Sequence, residues 1–380
     1  MIVELHIIQS FGPSNLNRDD LNQPKECQFG NVRRARISSQ CIKRAVRTSP
    51  WFTQATQVPI GQRTRLIFYL LRKSLVEAGK PSEQVEVLVT DFVKAYGSKK
   101  RDVALDKTNR TDILFYLSQA ELGDMTHLML ERWDELASPQ TAQGTIDSIV
   151  DRLVKDHGNA TSAPDIALFG RMLAGRPELN LFAASQYAHA ISTHAVALED
   201  DYWTTAEDRP ELEPEMQPGA AMLDYLGFNA ACYYRYACVD WQQLLTNLND
   251  QHDLARQTVE AFLRASALAV PSGKRTAFAQ NCEPAFLLAV VRNDGFAWNL
   301  VNAFEEPVKP LRDGGVIAPS VSALEAHWTR LCRKFGQNGV QAVSAWVADD
   351  SLELGSLEPH LHDSFDDWVT SVIRALPEVG

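Results

Sequence analysis

Arg33-Arg34-Ala35-Arg36-Ile37-Ser38-Ser39-Gln40-Cys41-Ile42-Lys43-Arg44-Ala45-Val46-Arg47 is the stretch from which the rest of the chain can be ordered. Ser38 or Ser39 is a good N-cap, because a short hydroxyl side chain accepts a hydrogen bond from an otherwise unpaired helix N–H. The residues that follow are helix formers. On such a helix Gln40, Lys43, Arg44 and Arg47 share one face, and Cys41, Ile42, Ala45 and Val46 lie toward the other. Unpaired N–H groups at a helix start, with cations one turn in, suit a nucleic-acid phosphate. A surface helix with a solvated basic face has the same pattern. The surrounding composition separates the two readings. The chain has 37 Lys plus Arg against 48 Asp plus Glu, a net charge of −11. Yet Cys27 to Val76 contains no carboxylate, while Arg33, Arg34, Arg36, Lys43, Arg44, Arg47, Arg63, Arg65, Arg72 and Lys73 all lie within it. An acidic protein that keeps one stretch clear of acids is expected to hold a polyanion there.

Upstream, Val3, Leu5 and Ile7 alternate with Glu4, His6 and Ile8, which predicts a first strand with His6 on an exposed sheet face. Phe11 to Arg36 reads as a loop rich in Asn, Asp, Pro and Gly. Downstream, helices are predicted over Gln62–Ala78, Ser82–Tyr96, Ser118–Ala137, Gln143–Asp156, Asp165–Ala174 and Ala183–Val196. Strand signals through this region are weak, so it reads as a helical insertion. Glu199 to Glu215 carries eight carboxylates and Arg209 as its one base, with Pro210 and Pro214. It reads as a protruding loop or long hairpin. Ala230–Val239 is aromatic and strand-prone, Leu254–Val270 is helical, and Phe286–Arg292 is a strand. The order strand, helix, insertion, strand, helix, strand predicts an α+β fold with an RNA-recognition-type, ferredoxin-like core. A helix over Ser322–Phe335, a strand over Gln341–Ala348 and a helix over Asp363–Ala375 complete the chain. Phe335 to Ile373 has no Lys or Arg, so this end is expected to face away from a polyanion.

Composition narrows the class. At 380 residues, 45% hydrophobic and 22% charged, the chain has the make-up of a soluble globular protein of two or three structural units. No signal peptide is read at Met1-Ile2-Val3-Glu4-Leu5, and the longest apolar runs are too short to span a bilayer. Cys27, Cys41, Cys232, Cys238, Cys282 and Cys332 are scattered and form no CxxC pair. They fit reduced thiols in a cytoplasmic protein with no zinc site and no other metal or cofactor.

Catalytic motifs are scarce: GxSxG, HExxH and GxGxxG are all absent. Pro271-Ser272-Gly273-Lys274-Arg275 lacks P-loop spacing but can be a turn in which Lys274 meets a phosphate; a plain exposed turn is the alternative. His189 and His194, five apart on a predicted helix, share no ligating face and read as core or interface residues. Asp19 and Asp20, next to Arg18, could hold Mg²⁺ or act as a base, and equally could hold the loop together. Tyr202-Trp203, inside the acidic protrusion, suits base stacking or docking onto a neighbouring subunit.

These stretches together resemble the CasC family, the CRISPR RNA-binding backbone subunit of type I-E Cascade. The resemblance is carried in order by Asn15-Leu16-Asn17-Arg18-Asp19-Asp20, Phe29-Gly30, Arg33 to Gln40, Ala167-Leu168-Phe169-Gly170-Arg171-Met172-Leu173-Ala174, Ala188 to His194, Tyr233-Tyr234-Arg235-Tyr236-Ala237, and Pro271 to Arg275. It covers about Ile2 to Arg292. It implies a hand: a palm at residues 1–50, a palm helix at 182–196 and the remainder of the palm with the C-terminal part at 227–380, helical fingers at 51–181, and a thumb hairpin at 197–226. It implies phosphate contacts from Arg18, Ser38, Gln40, Lys43, Arg44 and Arg47, to which Ser39 and Lys274 are added as RNA-binding candidates. It makes Met172, Tyr202 and Trp203 the wedge that kinks bases out at intervals. The partners implied are CRISPR RNA, target DNA through the guide, further copies of the chain and other Cascade subunits. No catalysis is expected. Two other classes fit the residues: a metal-dependent ribonuclease using Asp19 or Asp20, as in the related type III backbone subunits, and a protein-only scaffold whose basic stretch binds an acidic partner.

Overall fold

The computed structural model describes residues 1–204, 223–293, 295–312 and 314–378. The chain forms two compact units. One comprises residues 1–49, 187–238 and 263–377, and the other residues 50–186 with 239–262 and the terminal residues from 378.

The first unit is built on an antiparallel-rich sheet. Its elements are β1 (Ile2–Ser14), β2 (Glu26–Phe29), β3 (Val32–Ile37), α1 (Ser39–Arg47), β4 (Ala190–Ser192), β5 (Glu199–Thr204), β6 (Leu223–Asp240), α2 (His252–Leu268, whose last turns belong here), β7 (Phe286–Arg292), α3 (Ile317–Phe335), β8 (Val340–Val347) and α4 (Phe365–Arg374). The strand order is β8-β7-β1-β6-β4-β3-β2, with β5 paired to β6. All seven residues of β7 are buried, as expected of a strand covered on both faces. On one face Ile8, Tyr234, Tyr236, Phe286 and Leu288 meet Val321, Leu324 and Trp328 of α3. On the other, Ile42 of α1 faces Leu5 and Ile7 of β1.

Burial on both faces overturns the expectation for His6, which is fully buried. Its Nδ1 is hydrogen-bonded with the Tyr234 hydroxyl at 2.9 Å, and that hydroxyl accepts from the Leu300 N–H at 2.9 Å. Beside it, buried Glu4 pairs with Arg292 at 3.2 Å and accepts from the Trp298 N–H at 2.9 Å. A central strand under two layers has no solvent face, so its polar residues turn to buried partners, and His6 Nε2 faces the Glu4 carboxylate at 3.6 Å.

Two local readings also change. Phe11–Arg36 is not a loop throughout: β1 runs to Ser14, and β2 and β3 form a hairpin. Its turn is Gly30-Asn31, with φ 61° and 59°, the left-handed pair that suits a two-residue hairpin turn. Ala183–Val196 is not helical. It holds the strands Ser185–Tyr187 and β4, and Ile191 of β4 pairs with Arg36 on one side and Tyr234 on the other. Its alanines favour a helix, but pairing between two strands outweighs that modest local preference.

The second unit is helical: Ile67–Glu77, Ser82–Gly97, Gln119–Glu131, Trp133–Ala137 and Ala142–His157 close around Phe68, Leu71, Phe92, Met125, Trp133 and Leu153. A two-stranded ribbon, Gln62–Thr64 with Phe115–Leu117, joins them, so the helix expected from Gln62 starts at Ile67. Ser118 and Glu121 form a reciprocal capping box. The helix expected over Asp165–Ala174 ends at Phe169, because Gly170 takes φ +75°. Among the described residues no helix is long and apolar enough to cross a membrane.

Candidate nucleic-acid interface

The expected helix forms as Ser39–Arg47, capped by Ser38, whose hydroxyl accepts from the Cys41 N–H at 3.3 Å. Its first turn has no acid and its last turn carries Arg44 and Arg47. Ile42 and Val46 are buried; Gln40 and Arg44 are exposed; Lys43 and Arg47 are half-buried. Lys43 Nζ lies over the Tyr187 ring, 5.8 Å from its centroid.

The loop before β2 is anchored to this helix start. Asn17 Oδ1 accepts from the Ser38 N–H at 2.8 Å, so the cap residue is itself held from the loop. Cys41 Sγ donates to the Leu16 carbonyl at 3.8 Å. That carbonyl is also where the Pro271–Arg275 turn closes in. A Cβ on Gly273 would lie 2.4 Å from Leu16 O and 2.7 Å from Asn15 O, so only glycine lets the turn approach. Gln280 Nε2 holds the Gly273 carbonyl at 2.5 Å, and Lys274 takes a left-handed φ of 50°. Three separate sequence motifs thus meet at Leu16: the Asn15–Asp20 loop, the helix start and the Ser272–Lys274 turn. They bring Arg18, Ser38, Ser39, Gln40 and Lys274 onto one connected frame.

Asp19 has a structural job. Its Oδ1 accepts from the N–H groups of Leu21 and Gln23, both at 2.9 Å, which closes the loop that carries exposed Arg18. Among the described residues there is no group of three or more His, Cys, Asp or Glu arranged to hold a metal ion.

The basic run is divided by use. Arg33 pairs with Glu26 at 3.3 Å. Arg34 is fully buried, donating to the carbonyls of Phe29, Ser192, Phe304 and Glu305 at 2.7–3.3 Å; burial pulls its pKa down, partly offset by Cys27. Arg36 donates to the Glu26 carbonyl at 3.2 Å and meets His189 Nδ1 at 3.1 Å. Burial, then Arg36 and Lys25, lower the His189 pKa. Farther along, Arg72 pairs with Glu86 at 2.9 Å.

Tyr202 and Trp203 are strand neighbours, so they point to opposite faces of the β5–β6 ribbon and do not form one stacking pair. Tyr202 instead meets Tyr225, its cross-strand partner, with ring centroids 5.3 Å apart. Tyr225 does not stand out in the sequence, because nothing there shows which residue of the returning strand lies opposite. The tip of this expected thumb, 205–222, lies outside the described residues. Met172 belongs to the helical unit and is 82% exposed.

The fold and site define a mixed α+β protein with a carboxylate-free helix start braced by a loop and a glycine turn. The chain belongs to the CT1975-like protein family, whose model matches residues 3–370. It is similar, at 28% identity with a TM-score of 0.85, to a chain of a solved "CRISPR RNA-guided surveillance complex, pre-nicking"; the match covers 99% of this chain and 100% of that one. A chain of another "CRISPR RNA-guided surveillance complex" matches at 25% identity with a TM-score of 0.76, over 99% and 100% of the two chains. No curated protein matches.

Proposed function

We propose that this protein is a non-catalytic, RNA-carrying backbone subunit of a CRISPR RNA-guided surveillance complex of the type I-E Cascade kind. The observation that carries the reading is the convergence at Leu16 of the helix start, the loop and the Ser272–Lys274 turn, which brings Arg18, Ser38, Gln40 and Lys274, the groups proposed to bind phosphate, onto one frame in a protein of net charge −11. Backbone N–H groups and cations bind phosphates without regard to base, as a carrier of arbitrary guides requires. Sequence would then be read by pairing of the displayed bases with target DNA. The order β7-β1-β6-β4, with a helix after β1 and another after β6, supports the ferredoxin-like palm. The β5–β6 ribbon supports a thumb that reaches a further copy, and the helical unit supports the fingers. Full-length similarity to surveillance-complex chains supports membership of such an assembly.

The ribonuclease alternative is disfavoured because the Asp19 carboxylate already serves Leu21 and Gln23. The test is purification of the full chain with its bound nucleic acid, followed by incubation with paired RNA and Mg²⁺. Co-purified RNA that survives, with turnover at background in wild type, Asp19→Ala and Asp20→Ala, is the expected result. Reproducible Mg²⁺-dependent cleavage lost in either variant overturns the non-catalytic reading. Nucleic-acid-free protein that does not bind added RNA overturns the carrier reading and leaves the scaffold.

A further inference from the structure

The Tyr233-Tyr234-Arg235-Tyr236-Ala237 stretch of β6 places an arginine inside the first unit. Arg235 is buried, at 5% exposure, and burial pulls its pKa down to about 10, against the opposing effect of Tyr187. Its partners are neutral. One Nη donates to Gln9 Oε1 on the neighbouring strand β1, and the other to the Ser266 carbonyl at 2.7 Å. Among the described residues no carboxylate pairs with it. Burying a guanidinium among neutral acceptors is costly. What it supplies is a rigid fork of donors, which neither an apolar residue nor a lysine offers.

The two prongs of that fork hold the two ends of one loop. Ser266 is third from the end of α2, so its carbonyl is one of those a helix terminus leaves unpaired, and a cation suits that end. Gln9, itself fully buried, relays the other prong: its Nε2 donates to the Cys282 carbonyl at 2.7 Å. Residues 267–281, between these anchors, carry the Pro271–Arg275 turn. Within the loop Arg275 Nη2 donates to the Val270 carbonyl at 3.2 Å, and Phe278 meets Phe228 of β6 with ring centroids 5.9 Å apart. Lys274 and Ala279 take left-handed φ values of 50° and 48°, which residues other than glycine keep only where their surroundings impose them. The same hub touches the basic helix. Ser266 Oγ is hydrogen-bonded with the Tyr187 hydroxyl at 2.9 Å, and Lys43 stands over the Tyr187 ring.

We propose that Arg235 is a positioning residue for RNA: its buried fork pins both ends of the 267–281 loop and so fixes Lys274 at the Leu16 frame to meet a phosphate. Arg235 does not touch RNA itself. The inference rests on the RNA-carrier reading, with Lys274 as one of its phosphate contacts, and adds Arg235 and Gln9 behind it.

The test measures the salt dependence of RNA binding by the full chain. Lys274→Ala should flatten the slope of log affinity against log salt by about one per bound copy. Arg235→Lys keeps the charge and loses the fork, and should flatten it by the same amount. Combined with Lys274→Ala it should flatten it no further, because both changes remove one contact. Gln9→Glu still accepts from Arg235 but has no donor for the Cys282 carbonyl, and should behave as Arg235→Lys does. In both variants the amides of 267–281 should exchange hydrogen faster while those of β1 and β7 keep their protection. Urea unfolding checks each variant, and where Arg235→Lys does not fold, Gln9→Glu decides. A wild-type slope in Gln9→Glu or in Lys274→Ala, or losses that add in the double variants, overturns the positioning role and leaves the carrier reading standing. Absence of RNA binding by wild type overturns both.

Discussion

The strand half and the helix half of one basic run, Arg33–Arg36 and Lys43–Arg47, look alike in sequence and do opposite work. In β3 the fold engages the cations unequally: Arg34 is buried among four carbonyls, Arg36 meets a carbonyl and His189, and Arg33, largely exposed, pairs with Glu26. In α1, Arg44 is exposed and Lys43 stands over an aromatic ring, on a helix whose first turn has no acid. The difference comes from geometry. A strand inside a sheet is within reach of carbonyls and acids on both sides, whereas a helix bonds its own backbone and leaves its outward cations, Arg44 above all, reachable from solvent. A count of basic residues therefore overstates a phosphate site.

This contrast can be broken most sharply at Arg34. Arg34→Ala leaves buried carbonyls without donors, and should cost about 3 kcal/mol or more. Urea unfolding of the full chain should show it, and a midpoint unchanged from wild type would make Arg34 one more surface cation. Ser38→Ala removes the helix cap and should cost about 1 kcal/mol; Ser38→Asp, which keeps an acceptor, should recover most of that stability while weakening RNA binding by adding a charge at the proposed phosphate site. A Ser38→Asp protein that binds RNA as wild type does would move the phosphate away from this helix start.

Protonation offers a smaller perturbation. His194 Nε2 accepts from the Cys232 N–H at 3.1 Å, and burial lowers its pKa, with Arg34 adding to the effect against the Ala195 carbonyl. His189 is lowered as well. Both folded-state values lie below the unfolded one, so the unfolded chain binds more protons as pH falls and stability drops with it. The contribution is present above the unfolded histidine value, near pH 6.5, and is lost as pH falls through the lowered values. Unfolding midpoints between about pH 7.5 and 5.5 should decline, and His189→Gln should flatten part of the decline. An equal decline in the variant would show that His189 plays no part.

The helix Ser39–Arg47, its cap and its buried face were legible, because capping and a 3.6-residue period are local signals. So were the first part of β1, from its alternation, the aromatic second half of β6 and the apolar run of β7. The strands at 185–192 were not, since Ala188 and Ala190 favour a helix and only pairing to Arg36 and Tyr234 decides otherwise. The β2–β3 hairpin carried a readable sign in Gly30-Asn31, which the polar composition around it obscured. The fate of each arginine could not be read, because Glu26, Ser192 and Phe304 come close only through the sheet.

The most direct measurement is the salt dependence of RNA binding by the full chain, compared between Lys43→Ala with Arg44→Ala and Arg33→Ala. Removing a cation that touches a phosphate flattens the slope of log affinity against log salt by about one. The account predicts a slope flatter by about one to two for the helix pair, equal across RNA sequences, and no change for Arg33→Ala. A flattened slope for Arg33→Ala with none for the helix pair would contradict it and move the phosphate track onto the strand.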